Sequence, residues 1–319
     1  MPPAPVKTAI IGRSGHADYR LHAIHRSETA ALVAAIDTKL MRTEDVAPSF
    51  IIHPMAFGVH MPAPPTVVWV SIDEQSIESA ADQAESVVLC DPRLCNPERI
   101  SSLLAQGRHV LSDYLPTTNP HTLGQLFDTA NAHDVQLHIP CVSLLQGVPL
   151  TLRARLNSVS IKEIILDYER QGSEPDDLSS LIFRNIGALV HTLDLSGEVE
   201  TVLDCAYAQR ALTATLRSIH GATIALHIKQ GPFPDPLMDL MIEDHANSWR
   251  QMNEALYQGR SPQTILQGMR VYQDDIARMN RAIRAGSLLH PTSDQWIHIL
   301  QVANRLAQAQ VGPVQESSH

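Results

Sequence analysis

The string Gly12-Arg13-Ser14-Gly15-His16-Ala17 closes a short β-rich run, Val6-Lys7-Thr8-Ala9-Ile10-Ile11, and a helical stretch from about Asp18 to Ser27 follows it. A glycine ending a strand, small residues two and five positions on, and an acid about 20 residues later are the parts of a turn that cradles a dinucleotide. Gly12 makes the turn. Ser14 holds the position where backbone must approach a pyrophosphate, with Gly15 beside it restoring some of the room its side chain takes. Ala17 is the small residue that lets helix pack on strand, and His16 lies in the same loop, either touching phosphate or nicotinamide or standing exposed as a spectator. The phosphate would sit at the helix N-terminus, where unpaired N–H groups and the helix dipole favour an anion. Asp37, 25 residues after Gly12, ends the apolar run Ala31–Ile36 and is placed to accept hydrogen bonds from an adenosine ribose. An acid there favours NAD over NADP, while Lys39 keeps NADP open.

These residues need a sheet edge to hold them. The apolar runs at 66–70, 86–90, 109–112 and 135–138 alternate with helical stretches at 72–83, 97–106 and 120–132, which is the βαβ alternation of a doubly wound parallel sheet. Its strands end at Gly12, Asp37, Asp91-Pro92 and Asp113-Tyr114. Ligands of open α/β sheets bind at that edge, so all of these are candidate cofactor or site residues, and Tyr114 is a candidate proton donor or acceptor.

Composition narrows the alternatives. In 319 residues, 44% are hydrophobic and 18% charged, which excludes a disordered chain. The 24 Lys and Arg against 34 Asp and Glu leave a net charge of −10, unfavourable for nucleic acid or an anionic membrane. No run of 18 apolar residues and no signal-like start are present, so a cytoplasmic protein is expected. Cys90, Cys95, Cys141 and Cys205 form no C-x-x-C pair and read as buried, reduced thiols. The chain has 16 His, yet His22 with His25 and His53 with His60 lack a Cys or acid at zinc spacing, and no metal site is expected.

Three strings resemble the glucose-fructose oxidoreductase and inositol dehydrogenase family. Gly107-Arg108-His109-Val110-Leu111-Ser112-Asp113-Tyr114 is similar to its G-K-H-V-L-x-E-K-P signature, and Glu85–Pro92 to its D-x-V-x-I-x-T-P strand and loop. Gly187–Asp194 is similar to its G-x-H-x-x-D helix, which makes His191 a second catalytic candidate. The resemblance implies a Rossmann domain joined to a C-terminal α+β domain with an open antiparallel sheet. It further implies hydride transfer between NAD(P) and a small-molecule substrate in the cleft between the domains, and a homo-oligomer, dimer or tetramer, through that sheet. The departures matter as much. Asp113, Tyr114 and Leu115 stand where the family has E-K-P, and Gly187 stands where its sugar dehydrogenases hold an Asp. A standard sugar oxidation needs a base for the hydroxyl proton, so an atypical substrate is expected, with Tyr114 or His191 as the acid. Tyr in place of Lys is shared with biliverdin reductases, whose L-H-E-E-H-V-E-L-L strand Leu137–Leu145 resembles locally. The alternative is a catalytically inactive member that binds a nucleotide or metabolite as a sensor or accessory subunit.

The expected division is a Rossmann domain over 1–120 and an α+β domain over 121–319. In the second, strands are predicted at 161–168, 199–208, 212–216 and 223–228, with another at 237–242, giving a sheet shorter than the family's. Helices are predicted at 181–195, 247–258 and 262–285.

Overall fold

A computed structural model of the chain describes residues 3–12, 15–37, 70–71, 74–140, 161–171, 183, 199–208, 211–218, 221–231, 237–244, 248–252, 255–258, 261–265, 268–287, 289 and 291–308. The continuous apolar runs of the first part become parallel strands, with Val6–Ile11 and Ser86–Leu89 buried almost throughout and residues 31–34 of the second strand part-buried. β1 (Val6–Ile11), β2 (Ala30–Asp37), β3 (Val70–Ser71), β4 (Ser86–Leu89), β5 (His109–Ser112) and β6 (Leu137–His138) form one sheet in the order β3-β2-β1-β4-β5-β6. Every neighbouring pair is parallel. Ile10, Ile11, Val87, Val88, Leu89, Val110 and Leu111 are fully buried within it. The order reverses at β1, with β2 on one side and β4 on the other, so the chain leaves β1 and β4 in diverging directions.

The helices between these strands are α1 (Gly15–Arg26), α2 (Glu74–Gln83), α3 (Pro97–Ala105) and α4 (Pro120–Ala132). An Asn-Pro pair starts both α3 and α4. Asn96 Oδ1 accepts from Arg99 N at 2.9 Å and Asn119 Oδ1 from His121 N at 2.9 Å, while Pro97 and Pro120 occupy the first turn, where no donor is missed.

By internal contacts the chain forms two units, Met1–Pro140 with Gln267–Ser293, and Cys141–Leu266 with Asp294–His319. The expected division at residue 120 falls ahead of α4 and β6, both of which lie in the first unit. So does α5 (Gly268–Ala285), which packs against α1 and β2. Tyr272, Asp275, Ile276, Met279 and Asn280 of α5 are buried at helical spacing.

The second unit holds β7 (Ile161–Gln171), β8 (Val199–Ala208), β9 (Ala211–Ser218), β10 (Thr223–Gly231), β11 (Leu237–Asp244), β12 (Ser248–Met252), β13 (Ala255–Gln258) and β14 (Ser261–Ile265). They pair as β14-β13-β12-β11-β7-β10-β9-β8. The sheet is mixed rather than wholly antiparallel, because β7 and β10 run parallel. It has eight strands, not the five that the sequence predicts. The segment predicted as a helix over 247–258 forms β12 and β13, and Pro262, predicted to open the next helix, lies in β14. Strands of four and five residues are too short to display alternation, so Trp249, Met252 and Leu256 mimic helical spacing and the non-local ladder decides. Pro262 is tolerated because β14 is an edge strand. In β9, Leu212, Ala214 and Leu216 are buried and Thr213 and Arg217 exposed, a sheet with one covered face. α6 (Ser293–Gln308) buries Trp296, Ile299, Leu300, Ala303 and Leu306, with the Trp296 ring 5.2 Å from that of Phe183. The predicted helix over 181–195 otherwise lies outside the described residues. Among the described residues no helix is long and apolar enough to cross a membrane.

Candidate functional site

The ladder carries past the strand ends and gathers the predicted residues at one edge. Gly12 N donates to Ile36 O at 2.8 Å, Cys90 N to Ile11 O at 2.8 Å, and Asp113 N to Leu89 O at 3.0 Å. Asp37, Gly12, Asp91 and Asp113-Tyr114 therefore stand side by side at the carboxyl ends of β2, β1, β4 and β5. Gly12 has φ +107°, and a Cβ there would lie 2.6 Å from Asp91 N and 2.7 Å from Asp91 Cβ. Both conformation and space demand glycine. Three residues on, Gly15 begins α1, and Ala17 is fully buried as the small residue of the turn. His16 lies in the first turn of α1 and Asp37 is the last residue of β2. Ser14 and His191 lie outside the described residues. This backbone fits a dinucleotide: a tight turn at the switch point, a helix start beside it and an acid at the end of the neighbouring strand.

Asp91 is buried and its carboxylate accepts from Arg93 N and Nε at Oδ1, 2.9 and 3.0 Å, and from Arg93 Nη2 at Oδ2, 2.7 Å. Pro92 beside it is exposed, and Tyr114 is half-buried, its carbonyl accepting from Ser112 Oγ at 2.7 Å.

Asp113, expected among the cofactor contacts, turns its side chain inward. Its side chain has no exposed surface, and both oxygens are engaged inside the protein. Oδ1 accepts from Arg20 Nε at 3.0 Å and Nη2 at 2.8 Å, and Oδ2 from the Cys90 thiol at 3.1 Å. A charge with so many internal partners braces the edge from within rather than facing a ligand. The same guanidinium, also fully buried, donates to Asp275 Oδ2 at 3.1 Å and lies over the Tyr272 ring at 4.8 Å. Tyr272 in turn stacks on Tyr19 at 5.0 Å. Arg278 Nη2 meets Asp275 Oδ1 at 3.1 Å and His138 Nε2 at 3.2 Å. His138 Nε2 thus lies between a donor, Arg278, and an acceptor, Asp275 Oδ1, and accepts from the one or donates to the other according to its tautomer. Burial pushes its pKa below the ordinary value, ahead of the opposing pull of Asp275 at 3.6 Å. Burial resists ionisation of Asp275, but His138, Arg20 and Arg278 outweigh it and hold the carboxyl below its usual range. Cys90 and Cys95 are free and buried, as expected, and burial is the main cause that lifts both thiols, Cys95 to about 12. Such thiols are inert at neutral pH.

Sequence reasoning missed this cluster. Its only local trace is a charge on each of two apolar stripes, Arg20 among Ala17, Leu21 and Ile24, and Asp275 among Tyr272, Ile276 and Met279. No group of three or more His, Cys, Asp or Glu suited to a metal occurs among the described residues.

A switch-point parallel sheet followed by a mixed sheet is the two-domain α/β architecture of a group of solved dehydrogenases and reductases, in keeping with the sequence resemblance. A dehydrogenase from Chromobacterium violaceum matches with a TM-score of 0.71 and 15% identity, over 97% of this chain and 96% of that one. UDP-N-acetylglucosamine 3-dehydrogenase from Acidithiobacillus ferrooxidans matches with a TM-score of 0.71 and 11% identity, over 96% and 97%. Biliverdin reductase from Synechocystis, solved with biliverdin and NADP+, matches with a TM-score of 0.64 and 17% identity, over 95% and 98%. At these identities the likeness is one of fold. No protein-family model and no curated protein sequence matches the chain.

Proposed function

We propose that the chain is an NAD(P)-dependent oxidoreductase that passes hydride between a nicotinamide and a small-molecule substrate at the carboxyl edge of the six-stranded sheet. The observation that carries this reading is the turn at Gly12, held at φ +107° against Asp91 and one ladder step from the end of β2. The NADP+ in the biliverdin reductase structure supports it. Gly12, Ser14, Gly15 and His16 with the start of α1 would hold the diphosphate, and Asp37 the adenosine ribose, which favours NAD. Asp91 and Pro92 would border the cofactor, whereas Asp113 supports the edge from inside. When bound, the nicotinamide donates or accepts the hydride. Tyr114 and His191 are the residues proposed to donate or accept the accompanying proton, a task suited to a C=C or C=N bond as well as to a carbonyl.

The test is a titration of NADH and of NADPH into the protein, followed by fluorescence. Saturable binding of either is expected, and no binding at about millimolar levels, the weak end of the ordinary affinity range, overturns the reading. Once a substrate is found, Tyr114→Phe and His191→Ala should each lower turnover, and unchanged rates would remove both acids. A second reading, a nucleotide-binding sensor without turnover, is favoured by one observation: both described carboxylates that follow β4 and β5 are committed to arginines. Nucleotide binding without hydride transfer would select it. We also place the protein in the cytoplasm as a homo-oligomer formed through the eight-stranded sheet, which light scattering on the purified chain checks directly.

A further inference from the structure

The two carboxylates after β4 and β5 are neutralised in different ways. Asp113 and Arg20 are buried together, with no exposed side-chain surface on either. Asp91 is equally sheltered, its side chain 5% exposed, but its arginine is not: the Arg93 side chain is 67% exposed. A carboxylate that needed only a counter-charge would be served by a cation sharing its burial, as Asp113 is. At Asp91 the cation stays in water and the buried acid acts as its anchor.

The anchoring is specific. Asp91 takes Arg93 Nε at Oδ1 and Nη2 at Oδ2, a side-on fork, and fixes the backbone through Arg93 N as well. The Arg93 carbonyl accepts from Asn96 Nδ2 at 3.0 Å, which ties the residue to the cap of α3. A long side chain that ordinarily samples many rotamers is thereby held in one. The fork leaves Nη1, which has no hydrogen bond among the described residues. Only the Arg93 half of the pair is in water, where holding a long side chain in one geometry contributes little to stability, so its fixed position calls for another reason. Its position supplies one. Asp91 touches the turn at Gly12, two residues before Arg93, so the guanidinium is held beside the edge at which a ligand is proposed to bind. In a chain of net charge −10, an oxyanion there depends on a local cation.

We infer that Arg93 is an anion-recognition residue, presenting a fixed guanidinium edge to a phosphate or carboxylate group of the ligand at this edge. The chemistry is charge-assisted hydrogen bonding to paired oxygens, for which arginine is suited. The oxyanion is either the diphosphate of the nucleotide or an acid group of the substrate. The inference rests on the ligand edge proposed above and not on hydride transfer.

The experiment compares the full-length wild type with R93Q, R93K and the double variant D91N/R93Q. The double variant removes the acid that R93Q alone would strand, so a folded protein without the cation can be measured even where R93Q is unstable. NADH, NADPH and inorganic pyrophosphate are titrated into each, and inorganic phosphate and oxalate into the NADH-saturated proteins. Loss of at least about tenfold in NADH affinity, with pyrophosphate competing against NADH, assigns the diphosphate; R93K should recover only part of it. NADH affinity within twofold, with phosphate or oxalate binding lost in the variants, assigns a substrate anion. If none of these probes distinguishes wild type from R93Q and D91N/R93Q, the inference is wrong. Should neither nucleotide bind the wild type, the oxidoreductase reading falls, and pyrophosphate binding by the free protein decides Arg93 on its own.

Discussion

At Gly12 two demands coincide, a left-handed backbone and the absence of a Cβ next to Asp91. Gly12→Ala should therefore cost about 1–3 kcal/mol from conformation and more from the displaced β4 end, with loss of nucleotide binding. Urea unfolding and the NADH titration check the two effects separately, and a variant of wild-type stability would show that the turn can relax. His138 makes a pH prediction of definite sign. Burial holds its pKa in the fold below the ordinary 6.5 that it has in the unfolded chain, so as pH falls through that value the unfolded state takes up a proton first. Stability is complete above about 6.5 and is lost as pH falls toward the lowered folded value. His22 and His109 are depressed by burial in the same direction and add to the slope. Asp275 acts at a lower pH, its stability present above the ordinary carboxyl value of 3.8 and lost as pH falls below it. Denaturant midpoints measured from about pH 8 down to about pH 2 should fall in that order. His138→Gln, which keeps an acceptor for Arg278, should flatten the slope between about pH 6.5 and 5.

Among the elements, those built on local signals were legible in the sequence. β1, α1 and β2 follow from one apolar run, one glycine turn and one acid, and α3 and α4 announce themselves by Asn-Pro pairs. β12 to β14 were not legible, because their short runs carry no period of their own and acquire one only by pairing in the sheet. The candidate edge was legible where it depends on strand ends, at Gly12, Asp37 and Asp91. The inward turn of the Asp113 side chain was not legible, because its partner Arg20 lies 93 residues away and Asp275 lies 255 residues from Arg20. No local pattern reports a pairing over that distance. α5 carries the matching prediction. Asp275→Ala removes a carboxylate facing Arg20, Arg278 and His138 and leaves buried positive charge, which should destabilise the first unit by about 3–5 kcal/mol. Thermal unfolding measures it, and a loss under 1 kcal/mol would mean that water reaches the cluster.

For the whole molecule, ligand linkage and chain order matter most. NADH at about a hundred times its Kd should stabilise the fold by about 2.7 kcal/mol, seen as a higher Tm, provided that it binds only the native state. Chain order enters because the first unit is written in two places, its sheet within Met1–Pro140 and its closing helix within Gln267–Ser293. A chain made from the N-terminus has the whole parallel sheet, with Arg20 and Asp113 already opposed, more than 100 residues before Asp275 and Tyr272 exist. During that interval, at the ordinary pace of about 5–20 residues per second, the face that α5 will cover has no cover. Until then Tyr19 lacks its stack on Tyr272, Arg20 its second carboxylate at Asp275, and His138 its contact with Arg278. A nascent chain of this protein is thus a natural client for whatever shields apolar surface at the ribosome, and a fragment ending at Pro140 should bind a hydrophobic dye and aggregate where the full chain does not.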